Sequence, residues 1–201
     1  MKFFAALTLV IATIVSANPL DKRATSQTNN FDDVQGTRLN LVNASFGPSK
    51  GLYYKGIGLT EIFDKGGPLQ AVSAQSKPNV LAYGKLDKLS DPYPYITSKY
   101  SGSTGTFDLQ SFYYGCILGN LAGSCTIFLA GYKNSQRVAG TQFDYRPSGR
   151  FASNMTQIIL DSTFKGLDSV RFVTVFTDRA TNPGLGGATF LDNIQYTLNS
   201  A

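Results

Sequence analysis

Short runs of β-branched and aromatic residues, separated by Gly, Pro, Asn and Ser, recur along the chain, and beyond the N-terminus no segment has a clear helical period. Val, Ile, Thr, Phe and Tyr fit a pleated surface, whereas Gly, Pro and Asn favour turns. The pattern predicts an all-β protein. The predicted strands are 38–43, 52–59, 69–74, 80–83, 105–118, 124–132, 137–145, 155–161, 169–177 and 188–198.

Two of these runs indicate how the strands assemble. In "SVRFVTVFT" (169–177) apolar residues occupy both alternating sets of positions, which predicts a central strand buried on both faces. The run "TGTFDLQSFYYGCIL" (104–118) is long, and a long strand that bends at a bulge or glycine favours a jelly roll over a small immunoglobulin-like domain. The sequence therefore predicts a two-sheet β-sandwich of jelly-roll type.

The N-terminus has the composition of a secretory signal. Lys2 precedes an apolar run at 3–15 that is too short for a transmembrane helix, and Val15-Ser16-Ala17 supplies the small residues of a cleavage site. We therefore expect a signal peptide at 1–17 and a secreted, extracellular protein without a membrane anchor. The next residues, "NPLDKR", end in a dibasic pair and resemble the kexin-processed pro-segments of fungal secreted proteins, which predicts a pro-segment at 18–23.

The remaining chain shows no internal boundary. Residues 24–30, "ATSQTNN", are polar and are predicted to form a flexible lead-in, and 31–201 is long enough for one domain with its own core. The formal net charge is +5, but part of it lies in residues 1–23 and no block of Lys or Arg occurs. Nucleic acid is therefore not an expected partner, and we expect a monomer.

Cysteines and asparagines add expectations for an extracellular protein. The two cysteines, Cys116 and Cys125, are close in sequence and are predicted to form one local disulfide in an oxidising compartment, worth about 2–3 kcal/mol. The acceptor sequences "NAS" at Asn43 and "NMT" at Asn154 predict glycosylated surface sites.

Four short motifs follow one another along the chain: "FDD" at 31–33, "FDLQSFYYG" at 107–115, "GLDSVRF" at 166–172 and, most specific, the closing "FLDNIQY" at 190–196. Together they resemble those of the galactose-binding-domain-like jelly rolls, the architecture of many carbohydrate-binding modules. The resemblance implies a jelly roll whose first and last strands are neighbours, and a role in binding carbohydrate.

Asp192 is the unusual residue of the closing motif. Alternation places it in an apolar row with Phe190 and Ile194, where an ionised carboxylate costs several kcal/mol unless a cation or several donors meet it. Galactose-binding-domain-like modules often hold a structural calcium ion between their first and last strands. The resemblance thus implies Asp192 as a ligand, with Asp32 or Asp33 contributing. The alternative is that Asp192 pairs with an Arg or caps backbone amides.

Most catalytic chemistries lack their residues here. The chain has no histidine, which excludes Ser-His-Asp and Cys-His catalysis and histidine-ligated metals, and paired cysteines leave no thiol nucleophile. Glu61, the only glutamate, lies near Asp64, but we interpret this pair as a charged strand end and not as the two carboxylates of a glycosidase. A sandwich-type polysaccharide lyase would have to work without its customary histidine. The sequence predicts a protein that is not an enzyme.

Tyrosines are the candidate binding residues. The chain has 11 tyrosines and no tryptophan, and an exposed ring offers a flat apolar face to a sugar and a hydroxyl to its rim. In "LSDPYPYITSKY" prolines hold Tyr93 and Tyr95 in an extended loop beside Asp91, and the pair Tyr53-Tyr54 places one ring on each face of a strand. We predict Tyr93, Tyr95, Asp91 and Tyr54 as a ligand-binding set; the alternative is core and edge packing.

Three functions remain open. The first is a secreted module that binds a cell-wall polysaccharide or other glycan, with a structural calcium ion. The second is an effector-like module that binds a host or matrix protein, and the third is a small polysaccharide-degrading enzyme. An aromatic platform on one sheet favours the first, a large apolar patch without a sugar-sized concavity the second, and two carboxylates about 5–10 Å apart in a cleft the third.

Overall fold

The structure, a computed structural model, describes residues 24–34, 45–62, 71–84, 93–177 and 186–199. Within these ranges the chain forms fifteen strands and one 3₁₀ turn, Ser162–Phe164. The strands are β1 Thr25–Asn29, β2 Gly47–Ser49, β3 Leu52–Lys55, β4 Gly58–Glu61, β5 Val72–Ser73, β6 Asn79–Gly84, β7 Tyr95–Thr97, β8 Thr106–Leu118, β9 Leu121–Ala122, β10 Cys125–Lys133, β11 Gln136–Tyr145, β12 Ser153–Asn154, β13 Thr156–Ile159, β14 Ser169–Phe176 and β15 Gly187–Asn199.

Two antiparallel sheets pack face to face. The seven-stranded sheet has the order β13-β8-β15-β6-β4, with β1 added to β15 and β9 to β8, and the six-stranded sheet has the order β11-β10-β14-β7-β3-β2. Because most neighbours within a sheet are not consecutive in the chain, the chain passes repeatedly between the sheets. The predicted all-β, two-sheet sandwich of jelly-roll type is confirmed.

Aromatic side chains join the two sheets at the centre of the sandwich. Phe112 on β8 projects from the seven-stranded sheet and meets Phe143 on β11 and Phe172 on β14, with ring centroids 5.7 and 6.0 Å away. Tyr114, two residues further along β8, lies 4.8 Å from Phe143. These edge-on contacts suit the aromatic quadrupole. They pack against the inner side of β11 and β14 in the six-stranded sheet.

The first described segment departs from expectation. The predicted flexible lead-in at 24–30 instead forms β1, which pairs antiparallel with β15 from Thr25 opposite Leu198 to Asn29 opposite Ile194. On this side of β15, β6 pairs only with residues 188–191, so β1 supplies hydrogen-bond partners where β6 does not. The prediction was wrong because polar side chains suit an edge strand as well as a coil.

Predicted strand 52–59 also divides in two. Gly56 has φ +66°, a left-handed conformation that costs glycine little, and the chain turns there from β3 in one sheet to β4 in the other. Strand β7 was missed, because the prolines of "DPYPY" favoured a loop.

The predicted disulfide is confirmed. It joins Cys116 on β8 to Cys125 on β10, and therefore links the two sheets across the β8–β9–β10 connection. Both sulfur-bearing residues are buried.

Removing this disulfide should lower the free energy of unfolding by about 2–3 kcal/mol, because the unfolded chain gains the conformational freedom of the opened loop. The measurement is urea unfolding of Cys116→Ala/Cys125→Ala beside wild type under oxidising conditions. The same comparison in reducing buffer is the control: the difference should disappear. A difference that persists under reduction would attribute the loss to packing around the alanines.

Other predictions concern the chain ends and surface. The signal peptide, the pro-segment and Asn43 lie outside the described residues. Asn154 is exposed, as an acceptor asparagine has to be, and its glycosylation stays a prediction. In the described part of the chain no helix is long and apolar enough to cross a membrane.

Candidate functional site

The outward face of the six-stranded sheet is unusually apolar. Along β10 the buried residues Ile127 and Leu129 alternate with the outward residues Phe128 and Ala130, since neighbouring residues of a strand face opposite sides. Phe128 is 41% exposed, and Val173 on the neighbouring β14 is 38% exposed. A sheet face exposed to water normally carries polar side chains, so this face is a candidate binding surface.

A groove of about 630 Å³ runs over β11, β10 and β14 on this face. This volume lies within the roughly 300–1,000 Å³ of typical small-molecule sites. Its floor is low where Ala130 pairs with Gly140 on one side and with Arg171 on the other, because neither Ala nor Gly fills the space above the sheet. Side chains that line the groove include Tyr93, Phe128, Tyr132, Arg137, Arg171 and Val173.

The position of the Arg137 side chain depends on Gly140. A methyl group at Gly140 would lie 2.2 Å from an Arg137 guanidinium nitrogen, so any larger residue would displace the arginine. The Nε atom of Arg137 donates to the Ala139 carbonyl at 3.5 Å. The register of the β10–β11 pair shifts beside Gly131 and Tyr132, and such a bulge redirects the side chains next to it.

Arg171 is held by an aromatic ring. Its guanidinium lies 4.7 Å from the centroid of the Tyr132 ring, within the range of a cation–π contact. In the next strand Tyr95 pairs with Arg171, and the Lys55 ammonium lies 5.5 Å from the centroid of the Tyr95 ring. A row of cationic and aromatic groups therefore crosses the sheet beside the groove.

Two rings leave a face open to a ligand. Tyr93 is 47% exposed at the start of the β7 segment, and Phe128 rises from the floor between Gln142 and Val173, its register partners. An apolar ring face with an amide nearby suits a sugar, whose ring has apolar C–H faces and a polar rim.

The four predicted ligand-binding residues have different positions. Tyr93 lines the groove. Tyr95 lies beside Arg171 at the edge of the groove, and the Lys55 ammonium lies over the Tyr95 ring. Asp91 lies outside the described residues. The prediction for Tyr54 is wrong: it is 0% exposed, its hydroxyl accepts a hydrogen bond from the Asn29 amide, and its partner Tyr53 faces outward instead.

The sequence did not reveal most of the groove. Strand β14 is central, but it is not buried on both faces: Arg171, Val173 and Val175 are exposed. An exposed binding face and a buried face both carry apolar residues in alternation, so the pattern alone could not separate them. The apolar outward residues of β10 were missed for the same reason, and Arg137 and Arg171 stood in no recognisable motif.

Asp192, on β15 of the other sheet, is fully buried and is met by donors. Its two oxygens accept hydrogen bonds from the Ser76 backbone N–H at 2.8 Å, the Ser76 hydroxyl at 3.1 Å and the Asn193 N–H at 2.7 Å. Burial raises the pKa of the Asp192 carboxyl to about 6, the Ser76 and Asn193 bonds oppose this rise, and the charge of Asp32 adds to it. These contacts match the alternative in which Asp192 caps backbone amides.

The oxygens near Asp192 also bear on the calcium prediction. Asp32 accepts from the Asn79 N–H at 3.2 Å, and the buried side-chain oxygen of Asn79 has no partner among the described residues. Asp33 points elsewhere: its carboxylate is exposed and lies 3.8 Å from the Lys50 ammonium. In the described ranges no group of three or more His, Cys, Asp or Glu residues comes together. Calcium takes six to eight oxygen ligands, and two carboxylates with one unpartnered amide oxygen supply part of that set.

Of the two carboxylates considered for glycoside hydrolysis, only Glu61 is described, and it does not line the groove. Glu61 ends β4, an outer strand of the seven-stranded sheet, and Asp64 lies outside the described residues.

Comparisons with known proteins give a fold and no family. No protein-family model matches the sequence, and no curated protein matches it. A DUF4465 family protein from Bacteroides caccae is similar in structure, with a TM-score of 0.52 and 13% identity over 92% of this chain and 97% of that chain. Its likeness shows a shared β-sandwich fold.

Two other solved structures are more distant. A carbohydrate-binding module specific for non-crystalline cellulose, CBM28, gives a TM-score of 0.37 and 11% identity over 81% of this chain and 95% of that chain. A cyclase from Fischerella sp. TAU gives a TM-score of 0.33 and 13% identity over 88% and 99%.

Proposed function

We propose that this protein binds glycan chains in the groove on its six-stranded sheet. The observation that carries the proposal is the pairing of a sugar-sized concavity with two open aromatic faces, Tyr93 and Phe128. Both rings are positioned by the rigid sheet or directly beside it, so binding requires little ordering of the protein. The open groove suits a polymer that continues beyond the sugars in contact.

A protein partner is the second candidate. Val173 and Val175 extend the apolar face past Phe128, and a contiguous apolar surface is typical of protein interfaces. The low floor over Ala130 and Gly140 favours the glycan, because a flat protein surface would leave that space unfilled. We propose binding without catalysis, since a lining of aromatic rings, arginines and amides offers recognition but no pair of carboxylates among the described residues.

We further propose that the protein works outside the cell as a monomer. The disulfide and the exposed Asn154 acceptor support an oxidising, secretory route. Where calcium is present, Asp192 and Asp32 would hold it with amide or carbonyl oxygens, and the ion would fasten the ends of the domain together. Calcium would then stabilise the fold without contacting the ligand groove.

The test is binding of residues 24–201 to a panel of soluble cell-wall polysaccharides by isothermal titration calorimetry. Tyr93→Ala and Phe128→Ala should each weaken binding by about five-fold, equivalent to roughly 1 kcal/mol for one stacked ring. Phe151→Ala is the control, because Phe151 is 81% exposed and does not line the groove.

The same samples separate the alternatives. If no polysaccharide binds, or if the control weakens binding as much as the groove variants do, the proposal is wrong. Release of new reducing ends or unsaturated sugars during incubation would instead favour a polysaccharide-degrading enzyme.

A further inference from the structure

Two arginines line the groove without an ion pair to any described carboxylate. Arg137 and Arg171 both line it, and within the described ranges neither forms an ion pair. Arg171 contacts the Tyr132 ring, and Arg137 uses only its Nε atom, on a backbone carbonyl. The terminal guanidinium nitrogens therefore retain donors for a ligand.

Asp144, the carboxylate of β11, is distant from the low floor of the groove and already accepts a hydrogen bond. Asp144 lies on β11 opposite Thr126, four residues along β10 from Ala130, which is about 13 Å at the rise of an extended strand. Its carboxylate accepts a hydrogen bond from the Thr126 hydroxyl at 2.7 Å. The groove thus combines two positive charges with no described negative charge in its lining.

Both guanidiniums already have contacts that restrict them before a ligand arrives. The Tyr132 ring fixes one face of Arg171, and Gly140 makes the space in which Arg137 lies across β11. A fixed planar fork loses little freedom when it binds a carboxylate through two parallel hydrogen bonds. A site built only for neutral sugars has no need of this arrangement.

We infer that the groove takes an acidic glycan, whose carboxylates bind Arg137 and Arg171 while its sugar rings lie against Phe128 and Tyr93. The inference rests on the proposed glycan-binding function and adds the chemical class of the ligand. Neutral chains of the same backbone offer the guanidiniums only hydroxyl and ether oxygens and no charged partner, so they should bind more weakly.

The experiment compares two matched pairs of soluble polymers: polygalacturonate with its methyl ester, and carboxymethylcellulose with hydroxyethylcellulose. With residues 24–201 as the protein, the acidic member of at least one pair should bind about ten-fold more tightly than its neutral counterpart. Arg137→Gln/Arg171→Gln should remove that difference, whereas Arg137→Lys/Arg171→Lys should keep part of it because the charge remains.

The control removes the same charge elsewhere. Arg146 and Arg150 are exposed and do not line the groove, so Arg146→Gln/Arg150→Gln should preserve the preference. Thermal unfolding confirms that each variant is folded. Equal binding of acidic and neutral polymers would overturn this inference and leave the proposed function standing. The same conclusion follows if Arg146→Gln/Arg150→Gln loses the preference for acidic polymers as fully as Arg137→Gln/Arg171→Gln does. If none of the four polymers binds, this inference is wrong, and the wider polysaccharide panel then decides the proposed function separately.

Discussion

Replacing Asp192 by alanine is expected to lower the free energy of unfolding at neutral pH by about 2–4 kcal/mol. The substitution removes a fully buried acceptor and leaves the half-buried Ser76 and Asn193 N–H groups without their partner, and each unsatisfied buried group costs about 1–3 kcal/mol. Asp192→Asn should cost less, because its amide oxygen still accepts from one side and its charge is gone. Urea unfolding of the three proteins measures both differences.

The Asp192 carboxyl should also make the stability of the fold depend on pH. Its pKa is raised from 3.8 to about 6, so the folded state holds this proton to higher pH than the unfolded chain does. The contribution is fully present below about pH 4 and is lost as the pH rises through 6, about 3 kcal/mol in all. Asp192→Asn should lack this decline between pH 4 and 6, and a decline of equal size in the variant would assign it to other groups.

Calcium would reverse that dependence, because a bound cation favours the ionised carboxylate. In that case calcium should raise the melting temperature of wild type at pH 7 relative to chelator and leave Asp192→Asn unchanged. Identical melting of wild type with calcium and with chelator would contradict the calcium prediction and leave the Ser76 and Asn193 bonds as the whole explanation of the buried charge.

Replacing Phe112 by alanine should cost about 3–5 kcal/mol, the usual range for a phenylalanine lost from a packed core. Phe112 is 1% exposed and contacts Phe143 and Phe172, so its loss opens a cavity where the two sheets meet. The measurement is again urea unfolding at fixed pH.

Phe151→Ala serves as the matched control for this core variant. Phe151 is 81% exposed, so its removal should change stability by no more than about 0.5 kcal/mol. A loss below about 1 kcal/mol for Phe112→Ala would show that the core collapses into the space or is centred elsewhere.

The strands were predictable from the sequence because their signals are local. The run 105–118 appears as β8 at Thr106–Leu118, and 169–177 as β14 at Ser169–Phe176, since alternation and turn residues act over a few positions. The short strands β1 and β2 were not foreseen. The pairing of β1 is decided by a partner distant in sequence, β15, which offers unpaired backbone to a polar segment.

The site was less predictable than the strands. Tyr93 could be named because prolines around it indicated an exposed loop, whereas Tyr54 and Tyr53 differ only in which face of β3 they occupy. Deciding that needs the position of the other sheet, which no local pattern contains. The arginine pair depends on register across β11, β10 and β14, so sequence separation concealed it.

Alternation along β10 has an evolutionary consequence. The side chains of Ile127 and Leu129 are buried in the interior, while those of Phe128 and Ala130 face outward on the same strand. Substitutions at the outward positions would therefore alter the proposed recognition at little cost to folding, and the inward positions remain under a separate constraint. The sheet can acquire new ligand preferences by drift in one set of positions, and a combinatorial library restricted to that set would sample specificity on an unchanged scaffold.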